Sequence, residues 1–209
     1  MKKGNGILIV IAIIGLIFGW LIVSSPQPNA STEQPKTTSG EIKPEWLYND
    51  SAPFVGSNDA QLKIVVFSDY QCPYCKVFHD NMKSVISENQ GNIKLIHRNL
   101  IVHPTATLLA QAVEAANLQG KFEQMDNAIF DKNPDPTEDS LVNLAKEIGL
   151  DETKFKNDLN SDQVKKRIDQ DSQDASSLGL QGTPSVFLNG STVDDPSQIS
   201  TLVKSALNK

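Results

Sequence analysis

The chain has 209 residues, 39% of them hydrophobic and 21% charged, ordinary fractions for one globular domain with an appendage. Its net charge is −6, and setting aside the first 24 residues, whose only charges are Lys2 and Lys3, leaves about −8 with no basic cluster to hold nucleic acid. Two cysteines permit a single internal disulfide, so stability has to come from an apolar core rather than from a set of braces.

The chain opens with "MKKGNGILIVIAIIGLIFGWLIVSS", an unbroken apolar run over residues 7–23 behind Lys2 and Lys3. As a helix that run would be about 26 Å long, close to the thickness of a bilayer core. A cleavable signal peptide has a shorter apolar region, about 7–15 residues, and a small-x-small cleavage site. Here only Ala30 offers a cut point, and Pro26 and Pro28 crowd it. The segment reads as an uncleaved signal anchor, with 1–6 cytoplasmic and 7–24 transmembrane; cleavage is the alternative. Positive charge before the span and none close behind it places the remainder outside the cytoplasm, in a single-pass cell-membrane protein. No cysteine lies near the span to carry a lipoprotein anchor.

Residues 25–51 are rich in Pro, Ser and Thr and read as a flexible linker. Within it "EWLYND" suggests a short ordered piece, because Trp46, Leu47 and Tyr48 are costly to leave in water. The domain at 52–209 begins with "LKIVVFSD", an apolar β-branched run expected to be a buried central strand. After it, Phe78, Met82, Val85 and Ile86 recur at helical spacing, and "NIKLIHRNL" reads as a second strand, giving a βαβ unit. Five helical stretches follow over about 104–179. "PSVFLNGSTV" then predicts a hairpin turning at Asn189-Gly190, and a helix over about 196–207 closes the chain. The fold class is α/β, a βαβ half and a hairpin half with a helical insertion between them. Phe78, Phe122, Phe130 and Phe187 are assigned to the core.

The chemistry lies in "SDYQCPYCKVFH". Closing the four-residue loop of Cys72 and Cys75 removes little chain entropy, so the pair is a poor staple. A zinc site needs more ligands than this pair and the three histidines supply at recognisable spacing, although Cys72, Cys75 and His79 could make a three-ligand cluster. The remaining reading is thiol–disulfide exchange. With Pro73 at the first helical position, Cys72 becomes the N-cap and its sulfur faces free N–H groups that favour the thiolate. Cys75, one turn deeper, is placed to resolve a mixed disulfide formed at Cys72. His79 is expected to be a partly exposed helix residue that modulates the thiols. Asp69, a loop acid three residues before Cys72, is expected to be solvated, the alternative being a proton acceptor or a charge that raises the thiol pKa. In isolation, "TPSV" at Thr183-Pro184 is no more than a turn entering a strand.

Several stretches together, "IVVFSDYQCPYC", "HPTATLLAQAVEAA", "GKFEQMDNAIF" and "LGLQGTPSVFLNG", resemble the DsbA-like thiol–disulfide oxidoreductases, particularly their membrane-anchored bacterial branch, from about residue 52 onward. The resemblance implies a thioredoxin-like fold with a helical insertion. It implies Cys72 as nucleophile, Cys75 as resolving thiol, and Pro73 and Tyr74 as residues that tune them. Pro184 would be the cis-proline and Thr183 would offer its backbone to an extended substrate. The best-known oxidant of the family has histidine where this chain has Tyr74, and "CPYC" also occurs in glutaredoxins and in some periplasmic isomerases and reductases. Thioredoxin carries a buried acid in its active-site strand at the position that corresponds to Val66.

The expected function is an extracytoplasmic dithiol oxidase that introduces disulfides into exported proteins. No bound cofactor and no metal is expected, since the Cys72–Cys75 couple carries the electrons. The partners implied are exported proteins with free thiols and a membrane quinone-linked reoxidase (DsbB-like or VKOR-like), with no nucleic acid, and the chain acting as a monomer. A disulfide reductase or isomerase on the same fold is the alternative, and a non-catalytic metal- or peptide-binding module comes third.

Overall fold

The computed structural model describes residues 42–208. The expected membrane span at 7–24 lies outside them; among the described residues no helix is long and apolar enough to cross a membrane. Five strands, β1 (Phe54–Gly56), β2 (Leu62–Ser68), β3 (Ile93–Asn99), β4 (Ser185–Leu188) and β5 (Ser191–Val193), form one sheet in the order β1-β3-β2-β4-β5. β2 and β3 are parallel, joined by α2 (Pro73–Glu88), and the other neighbours are antiparallel. This is the expected βαβ half followed by a hairpin half.

β2 is buried on both faces because its residues alternate between two apolar layers. Leu62, Ile64 and Val66 meet Phe78, Met82 and Val85 of α2 and Ile199 and Val203 of α8 (Ile199–Leu207). Val65 and Phe67 point the other way, with Phe187, Ala175 and Leu47. Leu47 belongs to α1 (Pro44–Leu47), the ordered piece read in "EWLYND".

Between β3 and β4 run α3 (Ala106–Asn117), α4 (Phe122–Lys132), α5 (Glu138–Glu147), α6 (Glu152–Leu159) and α7 (Asp162–Ser177). Side chains of Thr137, Asp151 and Ser161 accept N–H bonds at the starts of α5, α6 and α7, which fixes where each begins. α3 is buried nearly all round; its run of alanines lets α4, α6 and α7 approach closely. The hairpin turns at Asn189 (φ 48°) and Gly190 (φ 86°), both left-handed, as Asn-Gly turns require.

β1, a three-residue edge strand, carries no pattern in sequence. Its end is set by Gly56, at φ +96°, where a Cβ would stand 2.2 Å from the Ile93 carbonyl oxygen. Only glycine permits that close approach to β3.

Candidate active site

The apolar β2 delivers the chain to a tight elbow at the edge of the core. Cys72 is the N-cap of α2, extended at φ −82° and ψ 120°, and Pro73 takes the first helical position. The Cys75 N–H donates to the Cys72 carbonyl at 3.1 Å, closing the first turn. The two thiols are unbridged. Cys72 keeps 7% of its surface in contact with solvent and Cys75 only 1%. Tyr74 between them stands 74% exposed.

The loop before β4 completes the site. The peptide between Thr183 and Pro184 is cis, and the Cys72 thiol donates to the Thr183 carbonyl at 3.4 Å across 111 residues of sequence. All the residues singled out by the "CPYC" and "TPSV" stretches are therefore brought to one place.

The two sulfurs differ in ionisation. Burial pushes the Cys72 thiol up, but hydrogen bonds from the Thr183 side chain and from the N–H groups of Cys75 and Tyr74 outweigh it, and its pKa is lowered overall. Burial pushes Cys75 up to about 11, against the weaker pull of the Asp69 N–H, which donates to its sulfur at 3.5 Å. Of the two sulfurs, the outer one is therefore the readier to ionise and the inner one the more firmly held as a thiol.

Asp69 is not the solvated loop acid expected. It is fully buried, and its carboxylate accepts from the N–H groups of Gln71 at 2.7 Å, Val102 at 2.7 Å and His103 at 2.8 Å. These bonds replace its hydration and pin the loop after β3 against the elbow. His79 is the partly exposed helix residue expected, its side chain 10% accessible, with Nε2 3.2 Å from Asp126 Oδ2.

Asp126 belongs to a polar cluster behind Cys75 that the sequence reading missed. The Tyr70 hydroxyl donates to Asp126 Oδ1 at 2.8 Å and lies 3.3 Å from His97 Nε2. Phe130 packs on both the Tyr70 and His79 rings, at 4.9 and 4.5 Å between centroids. The signal was present: Phe122, Met125, Ile129 and Phe130 set the buried stripe of α4, and Asp126 falls on it. An acid at a core position needs partners.

For a metal, ligand atoms of His79, Asp80 and Asp131 lie within 4.8 Å of one another. Asp80 and Asp131 are exposed and already paired with Lys76 at 3.0 Å and Lys83 at 3.2 Å, and His79 Nε2 is committed to Asp126. The cysteines do not join such a group among the described residues.

Residues 49–208 match the family model described as thioredoxin. The chain belongs to the thioredoxin family. Among solved structures, it is 28% identical to a thioredoxin-like oxidoreductase from Silicibacter pomeroyi, with a TM-score of 0.70 over 80% of this chain and 99% of that one. The catalytic domain of ScsC from Proteus mirabilis is 27% identical, with a TM-score of 0.67, over 79% and 94% of the two chains. BdbD from Bacillus subtilis, at 24% identity and a TM-score of 0.70 over 78% and 96%, shares the fold. With its paired thiols, this thioredoxin-family chain is a thiol–disulfide oxidoreductase. By sequence it also matches a Na(+)/H(+) antiporter NhaA 1 of Mycolicibacterium vanbaalenii, 28% identical over 92% of this chain but only 31% of the antiporter. The chain thus spans less than a third of that relative's length, and the antiport named for it is not carried over.

Proposed function

We propose that the protein is a dithiol oxidase that donates its Cys72–Cys75 disulfide to exported proteins. The observation that carries this reading is the unequal pair of sulfurs: a lowered pKa at Cys72 stabilises the reduced enzyme, and a stabilised reduced form makes the disulfide a stronger oxidant.

In the forward reaction a substrate thiolate attacks Cys72 Sγ. A bond forms between them, the Cys72–Cys75 bond breaks, and Cys75 leaves with the electron pair and takes up a proton. A second substrate thiolate then attacks the substrate sulfur of the mixed disulfide and expels Cys72 as a thiolate, a good leaving group for the same reason that its pKa is low. Two electrons have moved to the enzyme, and no further cofactor is required. Returning them falls to a membrane reoxidase that passes them to a quinone, which agrees with a domain tethered by residues 7–24 on the outer side of the membrane.

An apolar groove of about 360 Å³ lined by Tyr74, Val77, Phe78, Thr183 and Pro184 supports a protein substrate. Val77 is 58% exposed there, an unusual cost for a free surface and a ready contact for an unfolded chain. The Thr183 backbone beside Cys72 would pair with an extended segment as a short added strand.

The test is the reduction potential of the couple in the full chain, by equilibration with glutathione buffers. A value near about −120 mV is expected for an oxidase. A value near about −270 mV, where thioredoxin lies, would overturn that assignment in favour of a reductase on the same fold.

A further inference from the structure

Whichever way electrons flow, the Cys75 sulfur must gain or lose a proton in every turnover, yet it is 1% exposed. Beside it lies a small cavity of about 20 Å³ whose polar lining is Ser68, Cys75, His79, His97 and Asp126. That is room for one water, which needs about two to four polar partners. The β2 residues that line the cavity, Val66 and Ser68, carry no titratable group.

His79 and Asp126 also line a second cavity, of about 340 Å³, rimmed by the exposed Lys83, Ser87 and Glu123. Val55 and Leu95 line both cavities as well, so His79 and Asp126 are the polar part of the partition between the outer cavity and the chamber at Cys75. We propose that His79 and Asp126 are the proton conduit of Cys75, passing protons between solvent and that thiol through one water held in the chamber.

The helix sets this up. His79 follows Cys75 by one turn of α2, which puts both side chains on the same face. Asp126, 3.2 Å from His79 Nε2, holds the imidazole in place, and Tyr70 holds Asp126. His97 Nδ1 is buried with no hydrogen-bond partner among the described residues, so the lining has polar capacity to spare, while His79 Nδ1 lies 3.6 Å from Asp80 Oδ1. His79 is faced by Asp126 and Asp131 from α4, by Asp80 and Lys83 from its own helix, and by His97 from β3. Burial opposes its charge, but the hydrogen bond and charge of Asp126 prevail and raise its pKa, which favours the protonated ring. His97 is driven by burial to about 4 and stays neutral.

When the Cys72–Cys75 bond breaks, the departing Cys75 thiolate takes a proton from the water, the water takes one from His79, and His79 is recharged from the outer cavity. In the opposite direction the same path removes the thiol proton, and the Cys75 thiolate attacks Cys72 and expels the partner sulfur. The conduit rests on thiol–disulfide exchange at this site, not on its direction.

The experiment follows formation of the Cys72–glutathione mixed disulfide from the oxidised full chain by acid-quenched flow and mass spectrometry, between about pH 5 and 9. His79→Gln and Asp126→Asn are compared with wild type, and alkylation of Cys72 in the reduced chain is the control. Both variants should slow the step by about tenfold or more at neutral pH and lose the inflection in the histidine range, with Cys72 alkylation unchanged within about twofold. Profiles that follow wild type within about twofold would overturn the conduit. Should Asp126→Asn not fold, the less buried His79→Gln decides alone. A wild-type chain that forms no mixed disulfide at all would overturn exchange itself, a distinct outcome.

Discussion

Arg98 and Asp171 form a wholly buried ion pair that ties the end of β3 to α7, with Arg98 Nε donating to Asp171 Oδ1. The same guanidinium donates to Asp174 and, through Nη1, to the carbonyls of Trp46 at 2.9 Å and Leu47 at 3.2 Å. One side chain thus fastens α1, β3 and α7 together. Arg98→Met keeps most of the volume but leaves buried carboxylates facing each other. The expected loss is about 3–5 kcal/mol in urea unfolding, and a loss below about 1 kcal/mol would show that Arg167, the other cation bonded to Asp171, carries the network by itself.

Two buried groups near this network give stability opposite dependences on pH. Glu114, held by Asn99 and facing Arg98 and Arg167, is pushed by burial from its ordinary 4.5 up to about 7. The folded state then binds the extra proton, so the contribution is full below about 4.5 and is lost as pH rises through about 7. His97 is driven from 6.5 down to about 4, so its contribution is present above 6.5 and is lost as pH falls through about 4. The two slopes offset each other over the shared window in the wild type. Glu114→Gln should therefore make stability rise with pH between about 4 and 6.5, and His97→Gln should make it fall between about 4.5 and 7. Parallel urea-unfolding curves for the two variants across pH would refute this assignment.

The inner and outer thiols should differ sharply in reactivity. At neutral pH a thiol with a pKa of about 11 is ionised to roughly one part in 10⁴, whereas Cys72 titrates below its ordinary 9.0. Iodoacetamide should label Cys75→Ser quickly, at Cys72, and leave Cys72→Ser nearly unlabelled over the same time. Comparable rates in the two single-thiol variants would remove the asymmetry on which the oxidase reading stands.

Much of this was legible in the sequence because periodicity and turn chemistry are local. The run "LKIVVFSD" and the turn Asn189-Gly190 each carry their own physical cause within a few residues. The site's outer half was legible for the same reason: Cys72, Pro73 and Cys75 occupy one helical turn. What could not be read depends on distant partners. Asp69 is a core residue only because Val102 and His103 bring their N–H groups to it, and Asp126 only because the Tyr70 hydroxyl and the His79 ring meet it. A charged residue states its cost in the sequence, but not where the compensation comes from.

Thr183 tests whether the loop before β4 tunes the nucleophile or merely abuts it. Its carbonyl accepts from the Cys72 thiol at 3.4 Å, while its side chain favours the thiolate. Thr183→Val retains the carbonyl, the β-branched shape and the volume, and removes only the hydroxyl. With that donor gone, burial weighs more heavily and the Cys72 pKa should rise. The reduced enzyme loses stabilisation, so the potential should move toward more reducing values, by about 30 mV for each tenfold change in the exchange equilibrium. Alkylation of Cys72 as a function of pH and glutathione equilibration of the same variant should shift together. A potential that falls with no change in the alkylation midpoint would mean that Thr183 acts on the disulfide form, and the thiolate account of its role would be wrong.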